Sequence, residues 1–267
     1  MEVAREADAP VINFSDITKC YGKGKAPAVN HLDLQVRPGE IFGFLGPNGA
    51  GKSTTIKMLV GMLRQDSGTI KVGSYDNITT PTELKKLLGY VPDEPLFYER
   101  MTGLRHINFI CDLYGIPCEQ RESRTLKLAE LFEMTDALRD PINSYSHGMK
   151  QKLGVIAALV HDPQVLVLDE PMVGLDPRSS FILKDVMREF CKSGRTVFFS
   201  THVMEVAERL CDRVGIIAKG HLIFNGTLEE LKVQKGESDA TLEELFLQLT
   251  GQEDMSKATE AAQEVLR

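Results

Sequence analysis

No apolar run in this chain approaches the roughly 20 residues that span a bilayer; the longest, such as 154–160 and 165–168, stop far short. Any membrane role therefore has to pass through a partner. Positive charge is not in excess either, since 38 acidic residues outnumber 31 basic ones and leave a net charge of -7. Such a balance gathers neither nucleic acid nor an anionic bilayer, and no nucleic-acid partner is expected. Cysteine is sparse: Cys20, Cys111, Cys118, Cys191 and Cys211 make an odd total and form no CxxC pair. That argues against a disulfide framework and fits reduced thiols, with Cys111 and Cys118 read as small core residues rather than metal ligands. Met1–Pro10 is charged and lacks the apolar stretch of a secretory signal, so none is expected there. Internal repeats and low-complexity tracts are also missing.

What is present is a 267-residue chain, 42% hydrophobic, enough for one substantial core with a lobe attached. From Val11 to Leu45 the pattern is short and alternating, with Ile12, Phe14 and Ile17, then Leu32, Leu34 and Val36, broken by Gly22, Gly24 and Pro38-Gly39. This reads as strands. Ile41–Leu45 then runs into a glycine-rich turn, and from Lys52 a helical pattern continues through Ile56, Leu59 and Val60. A block from about 96 to 160 is largely helical, with Leu104, Ile107, Ile110 and Tyr114 on one face and Leu128, Leu131 and Phe132 on another. Alternation resumes with a strand at 165–168, a helix from Pro177 to Cys191, a strand at 196–200 and a helix at 203–211. Such alternation predicts an α/β fold with a mainly parallel sheet. A hairpin-like stretch over 214–226 leads to an amphipathic segment capped by Thr241 with Glu244 three residues on, and to a polar tail beyond Gly251.

Gly46-Pro47-Asn48-Gly49-Ala50-Gly51-Lys52-Ser53 fits the G-x-x-x-x-G-K-[ST] pattern, with Thr54 next. Glycines let successive backbone N–H groups face a phosphate, and the following helix adds its positive end. Lys52 is then expected to bridge β- and γ-phosphates and Ser53 to ligate Mg²⁺. Val165-Leu166-Val167-Leu168-Asp169-Glu170 delivers two carboxylates at the end of a buried strand, where open parallel sheets place their chemistry. Asp169 is expected to hold the Mg²⁺ shell through water, and Glu170 to accept a proton from the attacking water.

With these motifs in this order, the chain resembles the ATP-binding cassette ATPases over roughly 11–226 and part of the tail. The resemblance implies a phosphate-loop NTPase core, an N-terminal antiparallel β subdomain, an inserted helical subdomain at about 96–160, and a C-terminal extension over 227–267. Tyr145-Ser146-His147-Gly148-Met149-Lys150-Gln151 stands where the family places its signature sequence. Ser146 is a good N-cap for the helix that follows, and in the family that helix points at the γ-phosphate bound by the opposite subunit. Ser146 and Gly148 would thus complete a neighbour's site. Tyr21 lies where the family stacks an aromatic ring on adenine, His202 where its switch histidine meets the γ-phosphate, and Gly174-Leu175-Asp176 where its dimer-contacting loop runs.

Departures from the family are equally specific. Asp93 replaces the glutamine usual in the 89–95 loop, leaving open whether it or Glu94 reaches the metal. His147 and Met149 replace a glycine and a glutamine of the signature. Leu96, Phe97 and Tyr98 either receive a coupling helix from a membrane subunit or pack the helical lobe.

The resemblance implies ATP and Mg²⁺ as cofactors, a second ATPase subunit, an integral membrane permease as partner, and a cytoplasmic position on the inner face of the membrane. The wording of 145–151 and of 242–250 is similar to export ATPases encoded apart from their permeases. One alternative is a soluble ATP-driven clamp in translation, repair or cofactor assembly, but those carry two cassettes or a long coiled coil, and no sustained heptads occur. An unrelated phosphate-loop enzyme would leave the signature and His202 unexplained, and no Asn-Lys-x-Asp string occurs.

Overall fold

The computed structural model describes residues 9–250 apart from 23 and 238, so the polar tail beyond Gly251 lies outside the described residues. The chain opens with strands β1 (Ile12–Lys19), β2 (Val29–Val36) and β3 (Ile41–Leu45), then helix α1 (Lys52–Leu59), β4 (Ser67–Val72), β5 (Tyr75–Asp76), α2 (Pro81–Leu87) and β6 (Leu88–Val91). Three helices follow: α3 (Gly103–Leu113), α4 (Cys118–Leu131) and α5 (His147–Leu159). Alternation returns with β7 (Val165–Asp169), α6 (Pro177–Lys192), β8 (Thr196–Thr201), α7 (Met204–Leu210), β9 (Arg213–Ala218) and β10 (His221–Gly226), before α8 (Leu228–Lys235) and α9 (Leu242–Thr250).

Two sheets organise these elements. The first is antiparallel, in the order β2-β1-β4-β5. The second runs β10-β9-β3-β8-β7-β6 and is parallel except for the β9–β10 hairpin. Every residue of β3, β7 and β8 is buried, as expected when both faces of a parallel sheet are covered. Strand β7 divides its side chains accordingly: Val165 and Val167 join one core with Phe42, Phe44 and Phe198, while Leu166 and Leu168 join the other with Leu153, Ile156 and Leu183. Phe42 and Phe44 lie 5.7 and 5.5 Å from the Phe198 ring, and each such fully buried side chain contributes about 1.5–3 kcal/mol.

Local deviations explain what the alternation alone does not. Ile12, Phe14 and Ile17 are all buried although the last step is three residues. A register shift between Phe14 and Ile17, with Asp16 at φ 52°, absorbs the extra residue. Strands β4 and β5 had no clear sequence signature, because Ile70 and Val72 are their only fully buried residues.

Three packing expectations are corrected. The buried face of α3 runs through Gly103, Ile107 and Cys111 with His106, which leaves Leu104 exposed. On α4 the inward residues are Thr125 and Ala129, so Leu131 is exposed, and Cys118, at the helix start, faces solvent. The α9 N-terminus is built as its sequence requires: Thr241 Oγ1 accepts from Glu244 N–H at 3.3 Å, and Glu244 Oε2 accepts from Thr241 N–H at 2.8 Å. Among the described residues no helix is long and apolar enough to cross a membrane.

Candidate active site

Strand β3 ends against the start of α1, and the turn between them is shaped by two glycines. At Gly46 an added Cβ would strike the Ile217 carbonyl of the neighbouring β9. Gly51 holds φ 116° as the residue before α1, and a Cβ there would lie 2.5 Å from the Ala28 carbonyl. Only glycine fits either place. The turn leaves the first N–H groups of α1 free of intrahelical partners and facing a cleft of about 210 Å³. Pro47, Asn48, Gly49, Gly51, Lys52, Ser53 and Thr54 line that cleft together with Asp93 and Glu170; Ala50 is buried behind it. Lys52 is 6% exposed, and its ammonium donates to the carbonyls of Gly46 at 2.7 Å and Pro47 at 3.4 Å.

Strands β7 and β8 bring in the carboxylates. Asp169 is 3% exposed and accepts from Ser200 Oγ at 2.5 Å. Glu170 follows with φ 48°, a left-handed conformation costing a non-glycine residue of order 1–3 kcal/mol and concentrated at working sites. Its N–H is shared by Ser200 O at 3.2 Å and Ser200 Oγ at 3.1 Å. Its carboxylate lies between two nitrogens, with Oε1 3.5 Å from Lys52 Nζ and Oε2 3.0 Å from His202 Nδ1, and Oε2 also accepts from His202 N–H at 3.3 Å. The structure thus brings Lys52, Ser53, Asp93 and Glu170 to one cleft, ties His202 to Glu170, and seats Asp169 next to it on β7.

Asp93 sits among like charges. Partial burial, then repulsion from Asp169, Glu170 and Glu94, push its carboxyl above the usual range, and only His147 pulls the other way. Tyr90, on β6 beside this group, is likewise driven upward by burial and by Asp169 and Asp93. Among the described residues no three His, Cys, Asp or Glu side chains are arranged to hold a metal by themselves. Ser53, Asp93 and Asp169 instead offer a few oxygens beside a phosphate-binding turn. That donor set fits Mg²⁺, which keeps several waters and takes one or two carboxylates with substrate phosphates.

Tyr21 is half exposed, its hydroxyl 3.3 Å from Thr54 Oγ1, so its ring stands beside the phosphate turn and open to solvent. Ser146 caps α5, accepting from Met149 N–H at 3.2 Å, yet neither Ser146 nor Gly148 lines the cleft. The two signature departures have separate fates. Met149 packs against the core, whereas the His147 ring lies where a side chain on Gly174 would stand. A larger groove of about 640 Å³ between α4 and α6 is apolar at its floor and gathers none of these groups.

A family model described as ABC transporter matches residues 29–173, a span that holds the phosphate turn, both carboxylates and the signature. The chain belongs to the ABC transporter family. It is 38% identical over 221 residues to the linearmycin resistance ATP-binding protein LnrL of Bacillus subtilis, covering 83% of this chain and 70% of that one. It is also 34% identical over 240 residues to the ABC-type transporter ATP-binding protein EcsA of the same organism, covering 90% and 96%. A solved structure described as the ATP-binding subunit of an ABC transporter superposes with a TM-score of 0.86 at 31% identity, covering 90% of this chain and 99% of that one. The chain is accordingly an ATP-binding subunit of an ABC transporter, with ATPase activity and a phosphate-loop NTPase fold.

One residue of this ABC ATPase escaped sequence reasoning. In the sequence Ser200 stands only as the end of a strand preceding His202. Its signal was there: a serine closing the apolar run Val197–Phe199 is a polar group headed for burial, and it needed a partner.

Proposed function

We propose that this ABC ATPase is a separately encoded motor that pairs with a second copy or a homologous subunit and drives export through an integral membrane permease. It would work from the cytoplasmic face. The linearmycin resistance relative supports export, and a separate permease agrees with the described residues, where no helix is long and apolar enough to cross a membrane. Leu96 and Tyr98 stand almost fully or largely exposed next to a groove lined by Pro92, Pro95 and Phe97, which suits a permease helix. The proposed division is a nucleotide-binding unit over 11–226, with helices of about 96–160 inserted, and a C-terminal extension from 227.

The site suggests a division of labour. Adenine stacks on the open Tyr21 ring. The phosphates lie in the turn 46–53, where Lys52 Nζ exchanges the Gly46 and Pro47 carbonyls for β- and γ-phosphate oxygens, a charge-assisted gain. Ser53, Asp169 and Asp93 would hold Mg²⁺, which when bound would supply positive charge against the phosphates. Glu170 takes the proton of the attacking water as the new oxygen–phosphorus bond forms and the bond to the ADP oxygen breaks, leaving ADP and phosphate. His202 holds the Glu170 carboxylate and contacts the γ-phosphate. The observation that carries this reading is the seating of Glu170 between Lys52 and His202 on a strained backbone.

Because Ser146 and Gly148 lie outside the cleft of their own chain, the second face of each site is assigned to the partner copy. Ser146→Ala is expected to cost about 1 kcal/mol of stability through the lost cap. ATP binding by the isolated chain should be retained while ATP-driven dimerisation falls, as read by light scattering. A variant that dimerised with ATP like the native protein would overturn the composite site.

Asp93→Gln is expected to go on hydrolysing ATP, and its stability supplies a sharper check. Since folding raises the Asp93 carboxyl above its ordinary value, the folded chain holds that proton more tightly than the unfolded chain. Stability is then lost as pH rises from the ordinary carboxylate range through the raised value, and the penalty persists above it. Asp93→Gln should therefore melt higher than the native chain near pH 7, with the difference vanishing toward pH 4. Thermal unfolding across that range reads it.

A further inference from the structure

We infer that Ser200 is a positioning residue that fastens Asp169 and Glu170 into a single rigid pair, so that the metal-shell carboxylate and the base are aimed together. This rests on the roles proposed above for those two residues. A serine hydroxyl has one proton to give and lone pairs to receive. At Ser200 the proton goes to Asp169 Oδ1, at 2.5 Å, and a lone pair receives the Glu170 N–H, at 3.1 Å. The Ser200 carbonyl takes the same N–H at 3.2 Å. One residue on β8 therefore holds the side chain of one carboxylate and the backbone of the next.

The strand pairing makes this arrangement a property of the sheet. Asp169 is the register partner of Ser200 at the end of the parallel β7–β8 ladder. Ser200 is 0% exposed, and its strand neighbours Val197, Phe198 and Phe199 are fully buried and apolar. Alanine would fill such a place without a buried hydroxyl to satisfy, and what the hydroxyl adds is the two bonds to Asp169 and Glu170. Its effect on Glu170 is directional. At φ 48° the chain turns sharply after Asp169, and the shared N–H holds that turn where the carboxylate reaches both Lys52 and His202. Ser200 touches neither nucleotide nor water in this scheme.

The test uses the purified full chain with Ser200→Ala and Ser200→Thr, and Glu170→Gln as a control. For Ser200→Ala, kcat should fall about ten- to one-hundredfold, the range of a lost charge-assisted hydrogen bond, while KM for ATP stays within about threefold. A second reading does not depend on turnover. ATP alone should raise the melting temperature as in the native chain, whereas the additional rise on adding Mg²⁺ should shrink, because Asp169 is no longer held.

Ser200→Thr keeps the hydroxyl and should restore both readings. Native kcat and a native Mg²⁺ response in Ser200→Ala would overturn the inference. So would a uniform loss in which basal melting, ATP binding and the Mg²⁺ response fall together, or a folded Ser200→Thr as impaired as Ser200→Ala. If Ser200→Ala does not fold, Ser200→Thr decides. Should Glu170→Gln turn over ATP like the native chain, the base assignment fails instead, and the Mg²⁺ response of Ser200→Ala still reports on the Asp169 arm.

Discussion

Glu170→Gln is expected to bind ATP with native affinity and to hydrolyse it about 10²–10⁴-fold more slowly, the contribution of a positioned general base. The amide has nearly the same shape and can still meet His202, which approaches Oε2 at 3.0 Å; what it cannot do is accept the proton of the attacking water. Binding survives because the phosphate turn and Lys52 are unchanged. In the composite-site reading, ATP that is bound and not consumed holds two chains together, so the variant should accumulate as an ATP-dependent dimer in size-exclusion chromatography with light scattering. Single-turnover measurement of phosphate release checks the chemical step directly. Native turnover in this variant would remove Glu170 from the role of base and leave its strained backbone unexplained.

Lys52→Ala should fail at the opposite point. Its ammonium is almost fully buried, with two carbonyls and the Glu170 carboxylate around it. Removing one partner of a buried, hydrogen-bonded charge contact costs about 2–5 kcal/mol, which corresponds to roughly thirtyfold or more in ATP affinity. Turnover at modest ATP should vanish with binding, and no ATP-dependent dimer should form. Equilibrium binding of a fluorescent ATP analogue separates the two variants: Glu170→Gln binds and stalls, whereas Lys52→Ala binds roughly thirtyfold or more weakly. If Lys52→Ala bound ATP normally, the phosphates would have to lie elsewhere than the 46–53 turn.

The two variants also show which parts of the site were legible in advance. The phosphate turn could be read because each of its constraints is local: a glycine at φ 116° before α1, a lysine and a hydroxyl in the first turn. Ser146 and Thr241 were legible as caps for the same reason, and each caps its helix in the structure, as does Asp176, which accepts from Ser179 N–H at 2.9 Å. The faces of α3 and α4 were less so, since Leu104 and Leu131 satisfy a helical period yet lie off the side that the core covers.

By itself the sequence determined the elements whose cause lies within a few residues: buried strands from continuous apolar runs, a phosphate turn from glycine spacing, and helix starts from capping residues. It also determined their order, and with it the family. Tertiary structure alone decided which of them meet. The strand order β3-β8-β7 sets β8 between the phosphate turn and the two carboxylates, so His202 comes to lie against Glu170 and Ser200 against Asp169. Asp93 reaches the same cleft through the loop after β6 and meets the repulsion that raises its carboxyl. The sheet pairs strands distant in the chain, and charges act through space rather than along the backbone, so the sequence could mark Ser200 as needing a partner but carried no local trace of which groups would meet.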